Sequence, residues 1–208
     1  MSFHTEILTE RQHKALRLLG PRTAPDGFYL AGGTAIALHL GHRRSVDFDW
    51  FRAAPLAEPL QLALEIRQAG IPFVTGQVAR STLYGTVYGV RVSFFEFRYP
   101  MLDPFLPWTE YGCQLAGLRD LATMKLSAIT QRGAKKDFVD LYALGRNGFR
   151  LAEMLDWYRR KFEIEDISHV LYALVYFDDA DREPKPKMLW KTDWKEIKKT
   201  ITGWVRGL

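Results

Sequence analysis

The sequence predicts an α+β protein: a mixed β-sheet with helices on it, followed by a C-terminal helical region. Three observations carry this expectation. Short apolar or alternating runs, punctuated by turn residues, fill the chain up to Pro107. Apolar residues at helical spacing fill it from Leu118 onward. The change of character near Gly112 divides the 208 residues into an α/β part, 1–112, and a helical part, 113–208.

Taken in order, Thr9 can cap a helix running to Leu19, and Gly20-Pro21 is expected to end it. Phe28–Ala31 is a short buried strand feeding a helix over Thr34–Leu40. Val46–Phe51 is apolar enough to be the next strand. Leu56–Ala69 repeats apolar residues at helical spacing and stops at Gly70. Ile71–Val78 is a strand, and Thr82–Val87 and Val90–Tyr99 alternate like a hairpin reversed at Tyr88-Gly89. Beyond the division, Leu118–Arg132, Lys136–Arg146, Leu151–Phe162, Ser168–Phe177 and Trp194–Val205 read as helices.

Composition narrows the classes. With 47% hydrophobic and 25% charged residues the chain has the makings of an ordinary globular core. The lone Cys113 excludes an internal disulfide and suits a reducing compartment. No segment approaches the roughly 20 apolar residues of a membrane helix, so a cytoplasmic protein with no membrane partner is expected. The net charge of +5 is matched by the segment after Pro184 alone, where seven basic residues face two acidic ones. That segment reads either as a solvated helix with Trp190, Trp194 and Trp204 packed on the core, or as a tail tracking a nucleic-acid backbone.

Two blocks carry chemistry. In the first, Gly32-Gly33-Thr34 sits where a strand meets a helix, so the backbone can approach an anion and offer it unpaired N–H groups. Asp47 and Asp49 follow on one face of the next strand, and carboxylates so spaced can bind divalent cations. A phosphate holder beside a metal holder is a site for a nucleoside triphosphate. In the second block, Lys125 lies in an otherwise apolar helical stripe with Leu118 and Leu121. A buried ammonium needs a partner, which a triphosphate or Asp137 would supply; the alternative is that its stem packs and its head reaches water. Lys135, Lys136 and Asp137 open the following helix, and Asp140, one turn on, can pair with Lys136.

Gly32-Gly33-Thr34, Asp47-Phe48-Asp49, Asp120-Leu121, Lys125 and Lys136-Asp137-Phe138-Val139-Asp140-Leu141-Tyr142 together resemble the AbiEii/AbiGii nucleotidyltransferases. These are toxins of type IV toxin–antitoxin, abortive-infection systems within the polymerase β-like superfamily. The resemblance spans about positions 28–145. It implies a mixed-sheet nucleotidyltransferase core, Mg²⁺ or Mn²⁺ as cofactor, and transfer of a nucleotide from an NTP to an acceptor hydroxyl, in some relatives on tRNA. It also implies a cognate antitoxin. Carried over by position, Gly32, Gly33 and Thr34 fall on the phosphate motif, Asp47 and Asp49 on the metal pair, and Lys125 and Asp137 on further catalytic positions. Arg44, Ser45 and Lys136 are placed as nucleotide contacts.

One departure stands out. The superfamily's third carboxylate, on a later strand, aligns with Ser93, while Glu96 falls on the opposite face unless a bulge turns it round. Asp137 could then act as base, or the chain could be a catalytically impaired nucleotide-binding module with a regulatory role. A sugar-nucleotide transferase using Asp-x-Asp fits less well, because it has no use for the glycine or lysine blocks. His39 and His42 lack zinc-spaced partners, and no serine sits in a nucleophile elbow.

Overall fold

The computed structural model describes residues 3–208. Helix α1 (Glu10–Thr23) leads into β1 (Tyr29–Ala31), α2 (Gly32–Leu40), β2 (Asp47–Arg52) and α3 (Pro59–Gln68). Three strands follow, β3 (Phe73–Ala79), β4 (Thr82–Val87) and β5 (Val90–Glu96), and then β6 (Leu106–Trp108) and β7 (Cys113–Leu115). The rest is helical: α4 (Leu118–Arg132), α5 (Lys135–Arg146), α6 (Leu151–Phe162), α7 (Ser168–Val175), α8 (Asp178–Arg182) and α9 (Trp194–Arg206). The strands form one mixed sheet in the order β3-β4-β5-β2-β1-β7-β6. β2 runs antiparallel to β1 and parallel to β5, which makes it the central strand of the site. The α+β expectation holds.

β2 shows how the sheet is held. Phe48 and Trp50 are fully buried on one face, where Phe28 and Phe94 also pack, while Asp47, Asp49 and Phe51 point to the other. Alternation of this kind fixes the register, because a one-residue slip would bury the carboxylates and expose the tryptophan. No helix among the described residues is long and apolar enough to cross a membrane.

Three elements differ from expectation. α1 continues through Gly20-Pro21 to Thr23. Pro21 costs the helix one N–H donor, yet Gly20, lacking a Cβ, lets the helix press against the Tyr111 carbonyl, and that tertiary contact outweighs the local breaker. β6 and β7 were not expected, since three-residue strands are too short to show a period. β7 lies just past the division expected at Gly112 and pairs in parallel with β1 through Leu30 and Leu115. α8 was not expected either, and it is only five residues long.

The C-terminal segment packs on the body of the protein. Trp204 lies over Gly145, where any Cβ would collide with its ring, and Trp194 meets Phe138 at 6.0 Å. Before α9, the chain forms a strap along the loop after α2. Arg44 N donates to Lys187 O at 2.9 Å, Leu189 N donates to His42 O at 2.9 Å, and Met188 bridges Arg43 in antiparallel fashion.

A second tie is ionic. Lys161 Nζ lies 2.6 Å from Asp120 Oδ1 with both side chains fully buried, and Asp120 also accepts from Leu102 N and Asp103 N at 2.9 and 3.0 Å. Removing the ammonium alone would leave a buried carboxylate without a counter-charge. Lys161→Met is therefore expected to cost about 3–5 kcal/mol of unfolding free energy, read from urea denaturation. A loss well under 1 kcal/mol would show that Asp120 does not depend on this partner.

Candidate active site

The junction of β1 and α2 is built around two glycines, each pressed against a charged side chain. Gly32 has φ +67°, a left-handed conformation that favours glycine, and a Cβ there would stand 2.6 Å from Asp49 Oδ2. At Gly33 a Cβ would run into the Arg43 guanidinium and come within 3.2 Å of Asp140 Oδ2. The α2 N-terminus, whose first N–H groups have no intrahelical partner, thus meets a carboxylate on one side and a guanidinium on the other.

The register of β2 places the acids. Asp47 pairs with Arg91 and Asp49 with Ser93 on β5, and the pairing runs unbroken to Arg52 and Glu96. No bulge brings Glu96 round. Its carboxylate instead accepts from Leu56 N at 2.9 Å and pairs with Arg98. Ser93 is therefore the residue facing Asp49 from the neighbouring strand. Asp47 has Arg91 at 3.5 Å and Lys136 at 3.7 Å, whereas Asp49 forms no ion pair among the described residues. Burial first, and the Asp47 charge second, raise the Asp49 carboxyl above the usual range, against the pull of Lys125, Lys136 and the Ser93 hydrogen bond.

Thr34 turns inward. Buried to 1% exposure, its hydroxyl is hydrogen-bonded to Ser45 Oγ at 2.7 Å and also donates to the Asp47 carbonyl. Thr34 and Ser45 hold the start of β2 beneath the first turn of α2. Arg44 lies beside this point, on the wall of a neighbouring groove.

Behind the glycine turn is a charge cluster. Lys125 Nζ lies 2.7 Å from Asp137 Oδ1 and 2.9 Å from Asp140 Oδ2. Arg132 grips Asp137 with two bonds, Nε to Oδ2 at 2.8 Å and Nη2 to Oδ1 at 2.9 Å. Asp140 receives Arg43 Nε at 2.6 Å, Arg43 Nη2 at 2.8 Å and His42 Nε2 at 2.7 Å. Burial alone would raise both carboxyls, but Lys125 and Arg132 hold Asp137 below its ordinary value, and Arg43 and Lys125 hold Asp140 well below. Burial lowers His42, so the imidazole adds no further positive charge near neutral pH. Asp137, with both oxygens engaged by cations, is not placed to accept a proton. Asp140 pairs with Arg43 and Lys125 rather than with Lys136, which turns to Asp47 instead; charge already concentrated on Asp140 leaves Lys136 to the less compensated acid.

Gly32, Gly33, Asp47, Asp49, Lys125 and Lys136 line one cavity of about 550 Å³, within the range of small-molecule sites. Thr34, Ser45 and Arg44 are not among its walls: Thr34 is spent on Ser45 and the Asp47 carbonyl, and Ser45 and Arg44 face the neighbouring groove. Arg43, Arg91 and Arg132 join the cavity without having been expected as site residues; Arg43, buried by clamping the distant Asp140, looks in sequence like any surface arginine. A second groove of about 400 Å³ shares Asp47, Arg43, Arg91 and Lys136 with the first and adds Arg44 and Lys187.

The donors suit a hard divalent cation that keeps part of its shell for water and phosphate. Among the described residues no group of three or more His, Cys, Asp or Glu side chains could hold a metal by itself. Two carboxylates, one of them crowded and uncompensated, match the habit of Mg²⁺, which commonly takes one or two protein carboxylates and completes its shell with substrate phosphates.

Fold and site together describe a nucleotidyltransferase-like α+β protein. A family model described as nucleotidyl transferase AbiEii toxin, type IV toxin–antitoxin system, matches residues 88–203. An uncharacterised protein of Aquifex aeolicus is 37% identical over 178 residues, covering 85% of this chain and 86% of its own length. The chain belongs to the AbiEii nucleotidyl transferase toxin family and is by that membership a nucleotidyltransferase. Among solved structures, JHP933 from Helicobacter pylori is similar with a TM-score of 0.56 at 16% identity, over 96% of this chain and 92% of that one. MenT4, a nucleotidyltransferase toxin from Mycobacterium tuberculosis, is similar with a TM-score of 0.56 at 13% identity, over 94% of this chain and 82% of that one. At such identities the likeness speaks to the fold. The family match begins at Tyr88, so the glycine turn and the Asp47–Asp49 pair stand on their geometry.

The electrostatics of Asp49 make a prediction. Its folded-state carboxyl is raised, so its ionised form weighs against folding, and that burden builds as pH climbs from the ordinary carboxylate range to the raised value and is constant above it. Asp49→Asn is expected to raise the unfolding temperature of the metal-free protein at neutral pH, by about 2–4 °C for each kcal/mol relieved, and to flatten its rise on acidification. Melting curves from about pH 4 to about pH 8 provide the check. A lower melting temperature in the variant across that range would contradict the assignment.

Proposed function

We propose that the chain transfers a nucleotide from an NTP, in the presence of Mg²⁺ or Mn²⁺, to a hydroxyl of an RNA acceptor such as tRNA. The observation that carries this reading is the Asp49 carboxylate seated against Gly32 at the N-terminus of α2, in one cavity with Asp47 and Lys136. Residues 1–112 bring the glycine turn and the acids; residues 113–208 bring Lys125, Lys136 and the clamp behind them.

In this reading Asp47 and Asp49 hold the cation, which when bound supplies Lewis-acid neutralisation of phosphate charge. The N–H groups of Gly32 and Gly33 bind the outer phosphates, helped by the helix dipole. Arg43, fixed against Gly33 by Asp140, adds a guanidinium to the same anion, and Lys136 faces the departing pyrophosphate from the next helix. Lys125 is held by Asp137 and Asp140, so its charge is preorganised. Asp137 acts as a positioning residue through Lys125 and Arg132. The acceptor oxygen forms its bond to the α-phosphorus as the bond to pyrophosphate breaks. Open carboxylate oxygens on Asp47 and Asp49 are the places its proton can go, since Ser93 replaces a third acid.

The second groove favours a polyanionic acceptor. Arg43, Arg44, Arg91, Lys136 and Lys187 surround it and Asp47 is its single acid, a distribution that suits a nucleic-acid end arriving beside the metal pair. A growth-arresting role, restraint by an antitoxin protein and a cytoplasmic setting complete the proposal, supported by the family. Ser93 opposite Asp49 favours one other reading, a nucleotide-binding module without turnover.

Incubation with each labelled NTP, Mg²⁺ and bulk tRNA separates the two. Label is expected on RNA, falling about a hundredfold or more in Asp49→Ala. Tight NTP binding without pyrophosphate release would establish the module instead. Lys187→Glu is expected to raise the apparent KM for RNA severalfold and to lower the salt slope of RNA binding by about one, while NTP affinity stays put. Unchanged RNA affinity would remove the groove from the acceptor path.

A further inference from the structure

The cavity continues beyond its charged end, and the chemistry of its walls changes there. On β2 the stride of Asp47 and Asp49 goes on to Phe51; on β5 that of Arg91 and Ser93 goes on to Phe95. Phe51 and Phe95 are register partners, with rings stacked at 4.9 Å and 28°, and Tyr29 covers the other face of Phe51 at 6.1 Å and 27°, so the row of rings turns its edges to the cavity. Tyr84, from β4, stands edge-on to Phe95 at 5.7 Å. Phenylalanines on the opposite face, Phe48 and Phe94, are fully buried, whereas Phe51 and Phe95 are only half-buried, with the cavity lying against them. Apolar ring surface left open inside a cleft commonly marks a ligand's place.

The facing wall is α4. Met124, Ser127, Ala128 and Gln131 line the cavity at spacings of three, four and seven, which is one face of a helix. Ser127 and Ala128 are small and leave room for a flat group between helix and sheet. Gln131 Nε2 donates to Ser127 Oγ at 3.0 Å, which leaves its amide oxygen and one N–H for another partner. Phe51 lies two residues along the strand from Asp49, about 6.6 Å, a separation a ribose can span between an α-phosphate at the acids and a ring system over the phenylalanines.

We propose that this end of the cavity is a nucleobase site, with the face of the base laid across the ring edges of Phe51 and Phe95 and against Ala128, and with Gln131 beside it choosing among the bases. The proposal rests on the donor site described above and adds to it the residues that hold and select the base. An aromatic floor binds any base by its π-face, and choice needs directed donors and acceptors. Here the Gln131 amide, steadied by Ser127, supplies one acceptor and one donor side by side.

The test is calorimetry on the full chain with Mn²⁺, using the four NTPs and inorganic tripolyphosphate as probes. The wild type is expected to bind NTPs more tightly than tripolyphosphate. Phe95→Leu and Phe51→Leu, which keep apolar bulk while removing the aromatic edge, are expected to weaken NTP binding roughly tenfold and to leave tripolyphosphate unchanged. Gln131→Glu is expected to reorder the four NTPs. Equal losses for NTPs and tripolyphosphate in the leucine variants, or none, would overturn the base site with the phosphate site intact. An unchanged order in Gln131→Glu would remove Gln131 as the selector. Failure of the wild type to bind tripolyphosphate at all would instead sink the phosphate site, and this inference with it.

Discussion

The site depends on one buried carboxylate. Asp140 draws the loop after α2, helix α4 and helix α5 to a single point through His42, Arg43 and Lys125. Without it, Arg43 would lose the partner that holds it against Gly33, and Lys125 would be left with Asp137, which Arg132 already grips with two bonds. The cluster of Asp137, Asp140, Lys125, Arg43 and Arg132 leaves one net positive charge behind the glycine turn. Two acids neutralise the buried bases enough to be tolerated, and the surplus faces the place where phosphates are proposed to bind. Buried ion clusters are uncertain contributors to stability, since desolvation offsets attraction. What this one secures is geometry, because satisfying Asp140 ties the loop after α2 to the consecutive helices α4 and α5 much further along the chain.

The acids on β2 follow the opposite logic. Asp47 and Asp49 lie two residues apart on one face, and the nearest positive charges sit 3.5 Å or more from Asp47. The protein tolerates this repulsion in its resting state. Sites that need a cation commonly carry such a local deficit, and it is the counterpart of the stability given up for function elsewhere. A fully compensated pair would be quieter and would have no use for a metal.

Much of this was legible in the sequence, for identifiable reasons. Alternation in Val46–Phe51 put Asp47 and Asp49 on one face, and a strand ending in Gly-Gly before an apolar helix announced the turn. Lys125 in an apolar stripe announced a buried partner, and Asp137 was named as a candidate. Other features depend on contacts between distant segments. Nothing near Arg43 or His42 signals that Asp140, on α5, will claim them. Thr34 was expected among the nucleotide contacts, and its hydroxyl points to Ser45, because the first turn of α2 must be tied to β2 before anything can bind there. β6 and β7 left no periodic trace in three residues each. Pro21 gave a local signal that packing on the Tyr111 carbonyl overrides.

The strap formed by Lys187, Met188 and Leu189 has a consequence for timing. It lines the outside of the loop that carries His42 and Arg43, yet it leaves the ribosome after that loop, α4 and α5 have all emerged. During synthesis the glycine turn, the acids and α5 all exist before the segment that braces the clamp loop does. The clamp can thus be assembled before it is braced, and that corner gains its outer support only when the segment after α8 has been made.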